Sequence, residues 1–488
     1  MKIKRLLTLA AAAAIIAACN EKIEQPNNGN NGNNGNNGGN GTIVNEVPLL
    51  PAARMRGAWM ATVWGIDWPM GDYSESGQKK LYTDYLDLFK SLGINAVFFQ
   101  VRGMADAFYK SSYEPWSRYI TGTLGKDPGY DILGFLIDEA HKRDMEFHAW
   151  INPYRVSTTS YFSEGLNPMI PESMVKKYEG IWVYNPALPE VRQRIAAIVE
   201  EIVRKYDVDG IHMDDYFYPS SGLGSSGLDD SAEYSKYGSG YSSIEDFRRG
   251  NIYEMVKLVK QTILSTKPEV AFTIGPQGNY NNNYNSQYID IPKVCQDKLI
   301  DAVIPQLYWS TTASKDYYTP RLEWFSQNIS SVPFLVGHTL SGFAGDKPEW
   351  SDAGEFETQC SLAEQKSNCI GHLIYNSNTL KKNPKAVQIN IRNAFSTKAL
   401  MPHLGGDGSV PAPAAPVNLA VAGGELHWDA VDGARYYAVY KSNGNRVRAT
   451  LLGTTEEQSW KLSASGKYFV TALDAHNAQS KISVVIQY

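Results

Sequence analysis

Residues 210–219 read GIHMDDYFYP. A short apolar run ends in two adjacent carboxylates, Asp214 and Asp215, followed by Tyr216, Phe217, Tyr218 and Pro219. Two neighbouring anions beside so much aromatic surface are costly to bury unless something uses them. The run fits a strand covered on both faces, as in a parallel sheet. Side chains alternate along a strand. Ile211 and Met213 then face surrounding helices, while His212 and Asp214 point the other way. Asp215 falls at the strand end, where the loop begins.

Seven further runs have the same character: MRGAWMATV, NAVFFQVR, EFHAWINPY, AFTIGPQG, AVIPQLYW, PFLVGHTL and HLIYNSN. Segments of helical periodicity separate most of them, among them KKLYTDYLDLFKSLG and EVRQRIAAIVEEIVRKYD. Gly93 is placed to cap the first helix. Eight strand-like runs alternating with helices predict an α/β fold, a closed (β/α)8 TIM barrel over residues 49–405. An open doubly wound sheet is the alternative, but no Gly-rich phosphate loop follows the first strand.

The flanks differ. MKIKRLLTLAAAAAIIAAC has basic residues, a short apolar stretch and small residues before Cys19. This pattern resembles a bacterial lipoprotein signal, predicting a signal peptide over 1–18 and lipidation of Cys19. Asn and Gly repeats follow, and residues 19–48 are expected to form a flexible tether. Residues 406–416 read as a Pro-rich linker. Over 417–488 strand alternation occurs without helices, predicting a small all-β sandwich. Leu426-x-Trp428, Tyr436 with Tyr440, and Tyr468-x-Val470-x-Ala472 resemble a fibronectin type III domain. That resemblance implies a spacer or binding module.

Composition excludes little. The 488 residues are 43% hydrophobic and 20% charged, ordinary for a soluble globular chain. A formal charge of −5 gives no basic footprint for nucleic acid. Tyr and Trp, 30 and 11 residues, offer flat apolar faces with a polar handle, which suits both sugars and cores. Cys295, Cys360 and Cys369 have no paired metal spacing. A Cys360–Cys369 disulfide and three buried thiols remain equally open.

In a parallel barrel, reactive groups sit at the C-terminal strand ends. Reading those ends gives Trp64 and Asp67, then Gln100 and Arg102. The third strand gives His148, Trp150, Asn152 and Tyr154, and the fourth His212, Asp214, Asp215 and Tyr216. Gln277 follows from the fifth, Gln306, Tyr308 and Trp309 from the sixth, His338 from the seventh, and Tyr375 and Asn376 from the eighth. Two carboxylates this close cannot both ionise freely, so their pKa values split into unequal roles. Arg102 is expected to neutralise them. A lone Asp more often caps a loop, and His148 and His338 taken singly read as hydrogen-bonded barrel histidines. No H-x-H or HExxH spacing supports a metal, and no G-x-S-x-G elbow supports a serine hydrolase. The expectation is no metal and no cofactor.

Together RGAWMATVWGIDWP, FFQVRGMADAFYKSSYEPWSRYITGTLGKDPGYDIL, AHKRDMEFHAWINPYRV, DGIHMDDYFYP and VIPQLYW resemble the glycosyl hydrolase-like family 10, bacterial exported barrels that are often lipoproteins. The resemblance implies a glycosidase of N-acetylhexosamine polymers such as peptidoglycan glycan strands. It implies Asp214 as the residue orienting a substrate acetamido group and Asp215 as the acid, with Asp67 as a spare carboxylate. Trp64, Arg102, Asn152, Tyr154, His212, Tyr216, Gln277, Gln306, Tyr308, Trp309, His338 and Asn376 are expected to bind substrate. The fifth strand ends in Gln277 rather than glutamate, which departs from the amylase pattern. A non-catalytic glycan-binding lipoprotein is the rival reading. The expected partners are a polysaccharide and, through lipid, the outer membrane on either its periplasmic or its surface face, with the protein a monomer.

Overall fold

The computed structural model describes residues 41–488 apart from 160–163, 220–227, 314, 316 and 407–409. The expected signal peptide, Cys19 and most of the tether lie outside the described residues. Eight parallel strands close into a barrel in chain order. They are β1 (Met55–Met60), β2 (Ala96–Arg102), β3 (Glu146–Ile151), β4 (Gly210–Met213), β5 (Ala271–Ile274), β6 (Ala302–Val303), β7 (Phe334–Thr339) and β8 (Cys369–Tyr375). The ring closes through Gly371 opposite Met55, between β8 and β1.

A helix follows each strand and covers it. These are α1 (Glu75–Ser91), α2 (Ile132–His141), α3 (Pro189–Lys205), α4 (Ile244–Thr266), α5 (Ile291–Gln296), α6 (Tyr318–Asn328), α7 (Glu355–Glu364) and α8 (Val387–Ala394). Their boundaries follow local chemistry. Ser74 Oγ accepts the Gly77 amide and starts α1. Just past its end Gly93 takes a left-handed conformation (φ 76°), as the sequence predicts. Pro189 opens α3, where a missing N–H costs nothing.

The period-2 pattern sorts the strand residues into two shells. Val97, Phe99, Phe147, Ile211, Met213, Phe272 and Val336 join the core between barrel and helices. Trp59, Phe98, Trp150, Ile304, Leu335 and Leu373 fill the barrel interior. Gly337 makes room there: a Cβ on it would stand 2.8 Å from the Trp59 ring.

The last residues form two antiparallel sheets. Their strands are β9 (Ala420–Ala422), β10 (Glu425–His427), β11 (Tyr436–Lys441), β12 (Thr450–Thr455), β13 (Ser459–Lys461), β14 (Lys467–Leu473) and β15 (Val485–Gln487). The first sheet has the order β9-β10-β13, and the second runs β15-β14-β11-β12. Leu426, Trp428, Tyr437, Val439 and Val470 bury between them. The other face of the second sheet, with Tyr440, Leu451 and Phe469, packs on Leu400, Leu50 and Ala53. Asn477 also donates to Glu146 at the start of β3 (2.7 Å), so this unit meets the barrel at the N-terminal ends of its strands. The expected tether ends earlier than residue 48. Thr42–Val44 is an edge strand antiparallel to β15, because its backbone finds a free ladder there.

Among the described residues, no helix is long and apolar enough to cross a membrane. Cys295, Cys360 and Cys369 are buried free thiols, so the Cys360–Cys369 disulfide does not form.

Candidate active site

The carboxylate pair opens into a cavity of about 200 Å³ at the C-terminal ends of the strands. Trp59 and Trp150 rise from the barrel interior beneath it. Tyr308 and Tyr375, stacked with ring centroids 5.8 Å apart, form one wall. Trp64 and Tyr216, 58% and 43% exposed, stand at the rim. A second cavity of about 170 Å³ shares Arg155, Asp215 and Tyr216 with the first and reaches Tyr154 and Gln277. The Trp150 indole N–H and the Tyr154 hydroxyl are buried without a partner. Each therefore offers an unused donor beside a cavity.

Asp214 is held by a chain of amides that begins just past the end of β1. The Thr62 and Val63 backbone N–H groups both donate to Gln100 Oε1 (2.9 Å each). That fixes the Gln100 NH2 toward Asn152 Oδ1 (2.5 Å). The Asn152 NH2 must then face Asp214, and it donates to both carboxylate oxygens at 2.6 and 2.7 Å. The amide orientations follow from the hydrogen-bond pattern. Asp215 is half-buried at the strand end and accepts from Gln306 Nε2 (3.1 Å). Gln306 is itself held by the Gly275 carbonyl (2.8 Å). Gln277 gives its oxygen to Asn282 and turns its NH2 to Asp215.

Burial, and secondarily Asp215, raise the Asp214 carboxyl to about 7, against the opposing effects of Arg155, Asn152 and the Tyr216 amide. Burial also raises Asp215, with Gln306 and Gln277 opposing. Both carboxyls are raised and adjacent, so the pair can share a proton. Below them Trp59 Nε1 donates to His212 Nε2 (3.1 Å), which leaves the His212 proton on Nδ1, facing Thr273 Oγ1 (2.9 Å). Burial holds the His212 pKa well below its usual value, so the ring stays neutral. It supports the floor and does not line either cavity.

The remaining sequence candidates divide. Trp64, Tyr216, Gln306 and Tyr308 line the first cavity, and Tyr154 and Gln277 the second. Five do not reach either. Asp67 is fully buried in the loop after β1, where its oxygens accept the Ala61 and Asn378 amides (2.7 Å each). Arg102 does not neutralise the aspartates. A register shift after Gln100 turns it onto Glu114, at 2.6 and 2.7 Å. His338 faces outward, because Gly337 takes the inward position of β7. Trp309 lies under Arg321, 4.0 Å from its ring centre. Asn376 caps the short helix Ser377–Lys382 through the Thr379 amide (2.9 Å).

Arg155 is the cation that the sequence reading missed. It lies 4.2 Å from the Tyr216 ring centre, lines both cavities and opposes the rise of both carboxyls. Its only signal was its place directly after Tyr154 at the end of β3.

A parallel (β/α)8 barrel with a carboxylate pair at the end of its fourth strand and aromatic walls around it is a barrel of glycoside hydrolase type. Residues 54–347 match the family described as Glycosyl hydrolase-like 10, and the chain belongs to that family. It is 35% identical over 497 residues to "Glycosyl hydrolase YngK" of Bacillus subtilis (strain 168), covering 91% of this chain and 96% of that protein. "Glycosyl hydrolase DigH" of Escherichia coli (strain K12) is 33% identical over 370 residues, 67% of this chain and 84% of that protein. The glycoside hydrolase domain of PgaB (BpsB) from Bordetella bronchiseptica superposes with a TM-score of 0.50 at 11% identity, over 71% of this chain and 100% of that domain. The last likeness is one of fold alone.

Proposed function

We propose that this chain is an exported, lipid-anchored glycoside hydrolase of the outer membrane that cleaves an N-acetylhexosamine polymer, with peptidoglycan glycan strands as its substrate. It works as a monomer and needs no cofactor. The observation that carries the reading is the clamped pair Asp214–Asp215 at the junction of two cavities. No other carboxylate lines either cavity among the described residues. A double displacement with a protein nucleophile, and an inverting attack by water, each need two carboxyl groups flanking the bond. Adjacent aspartates on one wall do not supply that, so the nucleophile comes from the substrate.

In this scheme a sugar ring occupies the first cavity over Trp59 and Trp150. Asp214, immobilised by Asn152, accepts the acetamido N–H and turns the acetamido oxygen toward the anomeric carbon. Asp215 protonates the departing glycosidic oxygen. The C–O bond breaks as the acetamido oxygen closes an oxazolinium ring. Asp215, now ionised, takes a proton from water, which opens that ring and restores the enzyme. Burial raises the Asp215 carboxyl, which suits an acid that must carry a proton to the departing oxygen.

Asp215→Asn tests this on defined glycan strands stripped of peptide, with products separated by chromatography. The expected result is loss of chain shortening at an unchanged melting temperature. Turnover at the parent rate would refute the assignment. Tight binding by the parent protein with no cleavage would instead favour a non-catalytic glycan-binding lipoprotein, the reading motivated by Gln277 where a carboxylate is absent. The C-terminal sheets are read as a fibronectin type III-like spacer.

A further inference from the structure

Behind the barrel wall, away from both cavities, β7, α7 and β8 bring three soft ligands together. His338, Cys360 and His372 are buried (0%, 3% and 0% exposed), and their ligand atoms lie within 4.8 Å of one another. It is the one such group among the described residues that the aspartate chemistry does not use.

The surrounding hydrogen bonds point the two rings inward. Gln359 Nε2 donates to the Glu355 carboxylate (2.8 Å) and the Trp309 carbonyl (3.1 Å). Its Oε1 is therefore the atom facing His338 Nδ1 (2.9 Å), and that nitrogen must donate. In a neutral ring, His338 Nε2 is then a bare lone pair. It faces His372 Nδ1 at 3.1 Å. On the far side, His372 Nε2 faces the Glu364 carboxylate at 3.3 Å. His372 thus has an acceptor on each side, and a neutral imidazole carries one N–H. If that proton goes to Glu364, two lone pairs meet at 3.1 Å. If it stays on Nδ1, His372 donates to His338 and turns a lone pair toward Glu364. A cation between the rings would serve both nitrogens and free the Nε2 proton for Glu364.

A cation fits this frame. Two imidazole nitrogens each about 2.0–2.1 Å from a tetrahedral ion stand about 3.3 Å apart, close to the spacing seen. Each ring would also keep the outer acceptor that metal-bound histidines use to fix their tautomer: the Gln359 amide oxygen for His338 and the Glu364 carboxylate for His372. Cys360 supplies the third donor. An ion bound by both rings puts Sγ about 3.5 Å from each nitrogen, so the thiolate comes into range with at most about 1.3 Å of side-chain movement. Two imidazoles and a thiolate select a soft or borderline ion over a hard one.

We propose that His338 Nε2, His372 Nδ1 and Cys360 Sγ hold a thiophilic closed-shell cation, Zn²⁺ or Cu⁺, that ties β7, α7 and β8 together. The thiol proton leaves to solvent as the ion binds, and no electron is transferred. The role is structural. The ion stabilises the wall that carries Tyr375 and takes no part in the aspartate chemistry.

Elemental analysis of the full chain, purified without chelator, is the test. One equivalent of zinc or of copper per chain is expected, and its identity separates the two ions. Stripping by a chelator should lower the melting temperature, and reloading with Zn²⁺, or with Cu⁺ under anaerobic reduction, should restore it. Cobalt loading should give a thiolate-to-cobalt absorption band in the near ultraviolet. Cys360→Ser, which conserves volume, should abolish that band and weaken metal retention by about tenfold or more. Should that variant fail to fold, the cobalt band of the parent protein decides alone. A chain free of metal both as purified and after loading, with no band and no thermal shift, would overturn the proposal and leave His372 Nδ1 donating to His338 Nε2.

Discussion

The Asn152 amide has no freedom left. Gln100 takes its oxygen, and its nitrogen faces both oxygens of Asp214. Its donation favours the ionised form of Asp214, opposing the burial that lifts that carboxyl to about 7. Asn152→Ala removes the donation, so the Asp214 pKa must rise further. A rate that needs Asp214 ionised should then have its low-pH limb displaced to higher pH, and kcat should fall by about 100-fold from lost positioning. A pH–rate profile checks both; a reduced rate with an unmoved limb would make Asn152 a spacer only. The inward direction of Asp214 was legible because Ile211 and Met213 flank His212 in strict alternation. The outward direction of His338 was not. Its neighbour Gly337 has no side chain to reveal the phase of β7, so sequence alone does not separate an outward histidine from a site residue at that strand end. Arg155 was missed for a related reason, as it lies beyond the strand, where alternation no longer applies.

Elements decide what the carboxylates and cations outside the cavities do. The strand pattern placed all eight barrel strands, because runs buried on both faces leave a strong apolar signature. It did not reveal the register shift between Gln100 and Arg102, which depends on pairing with β3. That shift sends Arg102 to Glu114, where the side chains are 1% and 0% exposed. Arg102→Met leaves Glu114 buried without its cation, so a loss of about 3–5 kcal/mol is expected, read as a lower urea midpoint. Asp67 works similarly at the loop between β1 and α1. It accepts one amide from its own loop and one from the segment after β8, stitching the barrel seam. An asparagine there supplies one acceptor oxygen and turns an N–H donor toward the other amide. Asp67→Asn should therefore cost about 1–3 kcal/mol while the folded fraction keeps its turnover. Lost turnover at an unchanged melting temperature would return Asp67 to the chemistry.

At the scale of the molecule, the chain's first described residues and its last strand share one sheet. Thr42–Val44 pairs with β15, and the following segment continues the contact. The Leu49 amide donates to the Val447 carbonyl (3.0 Å) and the Ala449 amide to the Leu49 carbonyl (2.8 Å). Glu46 accepts from Lys467 and from Ser442 Oγ. Sequence composition could not show this, since the Asn/Gly repeats and the strand differ only over a few residues and the partner lies over 400 positions away. The arrangement assigns residues 42–50 to the fold rather than to the tether. Removal of residues 1–40 should leave the melting temperature unchanged, because no ladder or core contact of the described fold is lost. Removal of 1–50 should expose the edge of β15 and the apolar face around Tyr440 and Phe469, which Leu50 helps to cover. Calorimetry should then show the C-terminal sheets melting earlier and apart from the barrel. The same truncation leaves the mouth intact, since the C-terminal unit contacts the barrel at the start of β3 and the aspartates stand at the end of β4. Turnover measured below the new transition should match that of the full chain, and a parallel loss of activity would show that the two ends of the barrel are coupled.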